Sequence, residues 1–145
     1  MLNPSHYHIF AIGKVRKDWV KSGLELYLKR LPGLRITELR DSNPLKEAQE
    51  IKAKVKNNQT LIILAEEGES LASIPFAEYL KTFSSQQLAF VIGGANGIAP
   101  EIKTLAHSLL SLSPMTFPHE IARLLLVEQI YRATTIIKGG PYHRN

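Results

Sequence analysis

Two short, unbroken apolar runs in the middle of the chain, residues 60–65 and 88–92, constrain its fold most. A strand with one face in water alternates apolar with polar residues, whereas a strand covered on both faces is apolar throughout. Neither run approaches the roughly 20 residues that a membrane-spanning helix needs. Each run is therefore expected to be a central strand of a parallel sheet with helices on both faces.

Strand patterns and helical patterns alternate along the whole chain. Strand patterns occupy 7–15 and 34–39, and a short strand or ordered loop follows at 110–117. Helical patterns occupy 18–31, 44–56, 73–83, 100–110 and 118–137, with the polar segment 66–70 predicted as a loop. The fold class predicted is α/β, with a mostly parallel five-stranded sheet. Ligands of such sheets bind beyond the carboxyl ends of the strands, which here means the loops after Leu64, Ile92 and Leu112.

Length and composition narrow the class of protein. The 145 residues suit one domain, 1–145, with a single core. The chain has no cysteine, which excludes disulfides and thiolate chemistry and fits a reducing compartment. No stretch resembles an export signal or a membrane span, so a cytoplasmic location is expected.

The charge is unevenly distributed. The net charge is +5; residues 1–60 carry 12 basic and 6 acidic side chains, and residues 61–110 carry 2 and 5. The ends of the chain are basic and its middle is acidic. This distribution of charge is compatible with a phosphate-bearing partner and equally with ordinary solubility. Charge alone therefore does not identify a nucleic acid as the partner.

The glycine-rich loop 93–97 follows a predicted strand and precedes a predicted helix. It lacks the spacing G-x-G-x-x-G, and no carboxylate stands about 20 residues further on, as a dinucleotide site requires. No P-loop sequence is present either. Two interpretations remain: a turn that needs positive φ angles, or a backbone that must approach a ligand closely.

The start of the last predicted helix carries polar groups followed by an apolar run. His119 and Glu120 resemble the start of a zinc motif, but Arg123 stands where the second histidine is required, so no metal site is predicted. The run 124–127 wraps around the helix, which favours a homodimer. Glu128 and Arg132 fit a helix-surface pair, or else join a basic rim with the tail 142–144. The pattern alone favours a frayed tail.

Four segments in order, 90–97, 110–119, 128–133 and 141–144, closely resemble the RlmH (YbeA-type) family of SPOUT methyltransferases. The resemblance implies a homodimer that uses S-adenosylmethionine to methylate N3 of a pseudouridine in a 23S rRNA stem-loop at the decoding centre. It also implies a C-terminal trefoil knot, which the strand pattern does not predict. The alternatives are a SPOUT enzyme acting on tRNA and a non-catalytic ribosome-binding module.

The resemblance also assigns the cofactor site. The three loops at strand ends would supply apolar walls and bare glycine backbone for an adenosyl group. The residues implied are Leu64, Gly93, Gly94, Leu112, Ser113, Pro114, Met115, Thr116 and Phe117.

The acceptor chemistry suggests roles for the basic residues. Because N3 of pseudouridine keeps its proton at neutral pH, the enzyme needs a base and a cation that stabilises the anion. In the C-terminal cluster His143 is the candidate base, with Arg144 and Arg123 as candidate stabilisers. The substrate-binding candidates are His119, Arg132 and Tyr142. Family geometry suggests that the tail completes the pocket of the neighbouring subunit.

Overall fold

The computed structural model describes residues 1–144 and alternates strands with helices along the chain. A 3₁₀ turn at Pro4–His6 precedes the first strand. The strands are β1 (Tyr7–Ile12), β2 (Arg35–Leu39), β3 (Gln59–Ser70), β4 (Gln87–Ile92) and β5 (Ser108–Ser111). The helices are α1 (Asp18–Lys29), α2 (Pro44–Lys54), α3 (Ser73–Lys81), α4 (Pro100–Lys103) and α5 (His119–Lys138).

The five strands form one sheet in the order β2-β1-β4-β3-β5, and every pairing is parallel. Successive residues of a strand point to opposite faces, so Ile9 packs in one core cluster and Phe10 in the other. Buried residues of α1, α3 and α5 cover the first face, and those of α2 and α4 cover the second. The predicted parallel sheet with helices on both faces is confirmed.

Several element boundaries differ from the prediction: β1 ends at Ile12 and not at residue 15, and β5 spans Ser108–Ser111 where 110–117 was predicted. Residues 66–70 belong to β3, because Leu64 and Glu69 both pair with Leu110 of β5 across an irregularity in the strand. Those pairings use backbone groups and so leave no apolar signal in the sequence. The helix predicted over 100–110 ends at Lys103, since the His107 N–H already donates to the Leu61 carbonyl oxygen at 2.8 Å.

Gly68 shows how closely β3 and β5 approach each other. A Cβ atom at this position would lie 2.6 Å from the carbonyl carbon of Leu109, inside any allowed contact. Only glycine fits there without moving backbone.

The trefoil knot remains a prediction. No helix within residues 1–144 has the length and apolar character needed to cross a membrane.

Candidate functional site

A cavity of about 700 Å³ lies at the carboxyl ends of β3, β4 and β5, where the sheet topology predicts a ligand site. Three segments line it: 64–67 within β3, 92–98 after β4, and 112–119 before α5. Lys103 of α4 and Ala122 of α5 complete the lining. The volume falls in the range typical of small-molecule sites, about 300–1,000 Å³.

Most of the residues implied for the cofactor face this one cavity. The structure places eight of them in its lining and leaves out Pro114: the eight are Leu64, Gly93, Gly94, Leu112, Ser113, Met115, Thr116 and Phe117. Leu64 is 9% exposed and also belongs to the core, so core packing and cavity lining coexist at this position. The apolar wall therefore rests on the sheet itself and is held rigidly.

The glycines after β4 serve the loop's own geometry. Gly97 has a φ of 80°, and its N–H donates to the Gly94 carbonyl oxygen at 3.1 Å. A Cβ atom at Gly93 would lie 2.5 Å from Cγ1 of Ile98. A larger residue at 93 would thus collide with the loop before it reached a ligand, which makes substitution there a test of folding as much as of binding.

Two carboxylates lie at the cavity that the sequence patterns did not single out. Thr116 Oγ1 donates to Glu66 at 2.8 Å, and Lys103 Nζ donates to Glu67 at 2.6 Å. The hydrogen bond from Lys103 lowers the pKa of Glu67. With two carboxylates and one ammonium, this rim of the cavity favours a ligand that carries positive charge. Within the described residues no group of His, Asp and Glu is arranged to hold a metal ion.

The first turn of α5 joins the cavity to the loop between β1 and α1. His119 lines the cavity and packs against Gly13, where a Cβ atom would lie 3.2 Å from Cε1 of His119. Glu120 turns the other way and accepts hydrogen bonds from the N–H groups of Arg16 and Lys17, at 2.8 and 3.1 Å. The two N–H donors, that of Lys17 first, lower the pKa of Glu120.

Arg123, a candidate catalytic residue, lies outside the cavity. Its side chain is 3% exposed, and its guanidinium donates to Glu38 at 2.5 Å and to the Gly13 carbonyl oxygen at 3.0 Å. It borders a separate groove of about 570 Å³ between α1, β2 and the β1–α1 loop. These contacts tie the ends of β1 and β2 to α5.

The C-terminal tail packs against the opposite end of α5, which contradicts the expectation of a frayed end. The Tyr142 hydroxyl donates to Glu128 at 2.7 Å and lies 3.1 Å from the Tyr27 hydroxyl. Arg132 pairs with Glu128 at 2.7 Å, faces the Tyr142 ring at 4.8 Å, and lies 3.1 Å from Nδ1 of His143. Glu128 raises the pKa of Arg132, and burial raises the pKa of Tyr142.

The tail lies beyond the cavity along α5 within one chain. Ala122, which lines the cavity, stands six positions before Glu128 and ten before Arg132 on α5, about 9 and 15 Å along the helix. The structure brings Arg132, Tyr142 and His143 together, and none of the three lines the cavity. Arg144 is exposed at the end of the described chain.

These features define an α/β domain with a ligand cavity at the carboxyl ends of parallel strands. A family model described as "Predicted SPOUT methyltransferase" matches residues 6–143. The chain belongs to the SPOUT methyltransferase family.

Relatives of known name match the chain from end to end. "Ribosomal RNA large subunit methyltransferase H" of Prochlorococcus marinus (strain MIT 9211) is 63% identical over 145 residues, 100% of both chains. The protein of the same name from Synechococcus sp. (strain CC9902) is 60% identical over 143 residues, 99% of each.

Solved structures support the fold. The SpoU methyltransferase AviRb from Streptomyces viridochromogenes superposes with a TM-score of 0.52 at 11% identity. The match covers 93% of this chain and 62% of that longer one. AviRb in complex with AdoMet gives a TM-score of 0.51 at 12% identity, covering 92% and 61%. At these identities the likeness extends to the fold.

Proposed function

We propose that this protein is an S-adenosylmethionine-dependent methyltransferase that acts on N3 of a pseudouridine in the 23S rRNA of the large ribosomal subunit. The observation that carries the proposal is the cavity at the ends of β3, β4 and β5 in a chain of the SPOUT methyltransferase family. The names of the relatives, at 60–63% identity over nearly the whole chain, supply the rRNA substrate. The methylated base, a pseudouridine, and the methylated atom, N3, follow from the resemblance of the motifs to the family. A ribosomal substrate would place this single domain, 1–145, in the cytoplasm.

The cavity fits the proposed cofactor. S-adenosylmethionine, when bound, supplies the methyl group and carries positive charge on its sulfonium and amino groups. Leu64, Ile92 and Leu112 would hold its adenine, and the backbone of 93–97 would offer hydrogen bonds. The carboxylates of Glu66 and Glu67 on the rim complement the positive charge.

The tail cluster supplies the groups that the acceptor base requires. We assign His143 as the base that removes the N3 proton, and Arg144 as the cation that stabilises the resulting anion. Arg132 and Glu128 position His143 and Tyr142 through the contacts described above. Arg123 is the weaker candidate stabiliser, because its two terminal nitrogens already donate to Glu38 and to the Gly13 carbonyl.

The separation of tail and cavity supports a homodimer. Because Tyr142 and His143 pack on Glu128 and Arg132, about 9 and 15 Å along α5 from the cavity-lining Ala122, we infer that the tail of a second copy completes the site. Two α5 helices packed antiparallel would bring each tail to the partner's cavity. Leu125 is half-buried and belongs to neither core cluster, so it is available for such a contact.

The proposal is tested by mapping the methyl group that the protein transfers. Purified protein is incubated with S-adenosylmethionine and with 23S rRNA or tRNA from a strain lacking the gene, and the methylated nucleoside is located by mass spectrometry. We expect one methyl group at N3 of a pseudouridine in 23S rRNA. Methylation of tRNA alone would establish the first alternative. RNA binding with no cofactor binding by calorimetry would establish a non-catalytic module.

A further inference from the structure

The loop between β1 and α1 forms an exposed cationic surface. Lys14, Arg16 and Lys17 of this loop and Lys21 of α1 are all exposed, and Asp18 is the one acid among residues 14–21. Four cations within eight residues make this a strongly basic stretch of surface. We call residues 14–21 the β1–α1 surface.

Hydrogen bonds hold the β1–α1 surface in one shape. Just before it, the Gly13 N–H donates to the Leu39 carbonyl oxygen at 2.8 Å, and the Gly13 carbonyl accepts from Arg123. Within it, the N–H groups of Arg16 and Lys17 donate to Glu120. Because these contacts use backbone groups of the loop, its cationic side chains remain in solvent. A loop fixed in this way presents its charges without a large ordering penalty on binding.

Trp19 projects from the same surface. It is 58% exposed and is the single tryptophan of the chain. Tryptophan is enriched where one molecule contacts another. An indole ring among cations is suited to stacking on a nucleic-acid base while the cations contact phosphates.

The β1–α1 surface adjoins the cofactor cavity. Gly13 packs against His119, which itself lines the cavity. A polymer bound on this surface would therefore lie next to the wall of the cavity that His119 forms. An RNA substrate must do so if one of its bases is to reach a methyl donor held there.

We propose that the β1–α1 surface binds a single-stranded loop of the substrate RNA, with Arg16, Lys17 and their neighbours on phosphates and Trp19 stacked on a base. The proposal rests on the proposed function and adds the place where the RNA is held. Complementary charge favours RNA over a second copy of this chain, because two such surfaces facing each other would repel.

The first test removes cations from this surface and, as a control, from the opposite face of the sheet. The variant is Arg16→Gln with Lys17→Gln, and the control is Lys52→Gln with Lys54→Gln, exposed on α2. With a stem-loop of 23S rRNA, the first variant should raise KM about ten-fold with kcat unchanged, and should lower the salt slope of binding by about 1.4, at about 0.7 per contact. The control should match wild type. Equal KM and slope for both variants would overturn the surface while leaving the methyltransferase function intact.

The second test uses the fluorescence of Trp19, which reports from this surface without competing signals. Adding the stem-loop to the wild-type protein should quench its emission at saturation, and Trp19→Ala should weaken RNA binding about ten-fold or more, with Trp19→Phe partly restoring it. Emission that is unchanged with RNA bound would overturn the proposal. Emission that changes on dilution of the protein alone would overturn it in favour of an interface between copies. A wild-type protein that binds no rRNA would overturn the proposed function as well.

Discussion

The two ends of helix α5 are built in different ways. At its N-terminal end, Glu120 and Arg123 bind mostly backbone groups of the β1–α1 loop, and His119 faces the cavity. From its midpoint on, Glu128 and Arg132 bind side chains of the tail. The first end borders the cavity, and the second half carries a cluster of ionisable side chains. On the proposed function, these are the two halves of one methyl-transfer site.

The tail end should account for the largest effect on activity. Deleting residues 142–145 removes the proposed base and its anchor, so we expect methylation to fall by at least about 100-fold, since general base catalysis contributes about 10²–10⁴. Cofactor affinity, measured by calorimetry, should change less than about three-fold because the cavity is lined by other residues. A truncated protein that methylates at the wild-type rate would remove the tail from the chemistry, and one that loses cofactor binding would make the tail part of the cavity.

The cavity end should show the reverse pattern. Leu112→Trp places a bulky ring in the cavity lining, and we expect cofactor affinity to fall about 100-fold, the equivalent of about 2.7 kcal/mol. The matched control is Leu105→Trp, because Leu105 is also apolar, is exposed, and lies outside the lining. Both variants should unfold in urea near the wild-type midpoint. Equal cofactor affinity for the two variants would place the cofactor elsewhere.

Arg123 is a candidate for the reaction and also makes contacts that hold β1 and β2 against α5. Arg123→Met leaves the Gly13 carbonyl unpaired, while the half-exposed Glu38 returns to water. We expect the free energy of unfolding to fall by about 2 kcal/mol, as measured by urea denaturation. Arg35→Met, on the exposed part of β2, should change it by less than about 0.5 kcal/mol. A fully stable Arg123→Met protein that has lost methylation would instead assign Arg123 to the reaction.

The smallest effect concerns pH and Glu120. Hydrogen bonds from the N–H groups of Lys17 and Arg16 lower the pKa of this carboxyl in the folded state. Its contribution to stability is therefore present above the ordinary glutamate pKa and is lost as pH falls through the lowered value. The difference in urea midpoint between wild type and Glu120→Gln should be constant at neutral pH and shrink below about pH 4. The exposed Glu25→Gln is the control. A difference independent of pH would show that charge at Glu120 does not stabilise the loop.

The cavity could be located from the sequence because its position follows from the sheet. Unbroken apolar runs predict central parallel strands, and parallel strands place their carboxyl ends at one edge. The loops after Leu64, Ile92 and Leu112 were selected in this way, and residues of all three loops line the cavity. The individual cofactor residues came from the family resemblance. Glu66 and Glu67 were missed, since the polar end of β3 carries no apolar signal.

The contacts of α5 could not be predicted from the sequence. Arg123 contacts Glu38, which lies 85 positions away in the sequence, and Tyr142 contacts Tyr27, which lies 115 positions away. No local pattern encodes a pair so distant in sequence, because the pairing depends on how helices and strands pack. Helix α4 ends early for a similar reason. The His107 N–H donates to the Leu61 carbonyl oxygen of the sheet, although the apolar residues keep a helical spacing beyond Lys103.

On the proposed function, the cavity end and the tail end of α5 belong to one site assembled from two copies of the chain. The most direct measurement mixes two inactive proteins, Leu112→Trp and the chain lacking residues 142–145, and assays methylation of 23S rRNA. In a mixed dimer, the intact cavity of the truncated chain meets the intact tail of its partner. We predict recovery of about one quarter of wild-type activity, because about half of the dimers are mixed and each holds one complete site. No recovery, in mixtures shown to exchange subunits, would contradict this account.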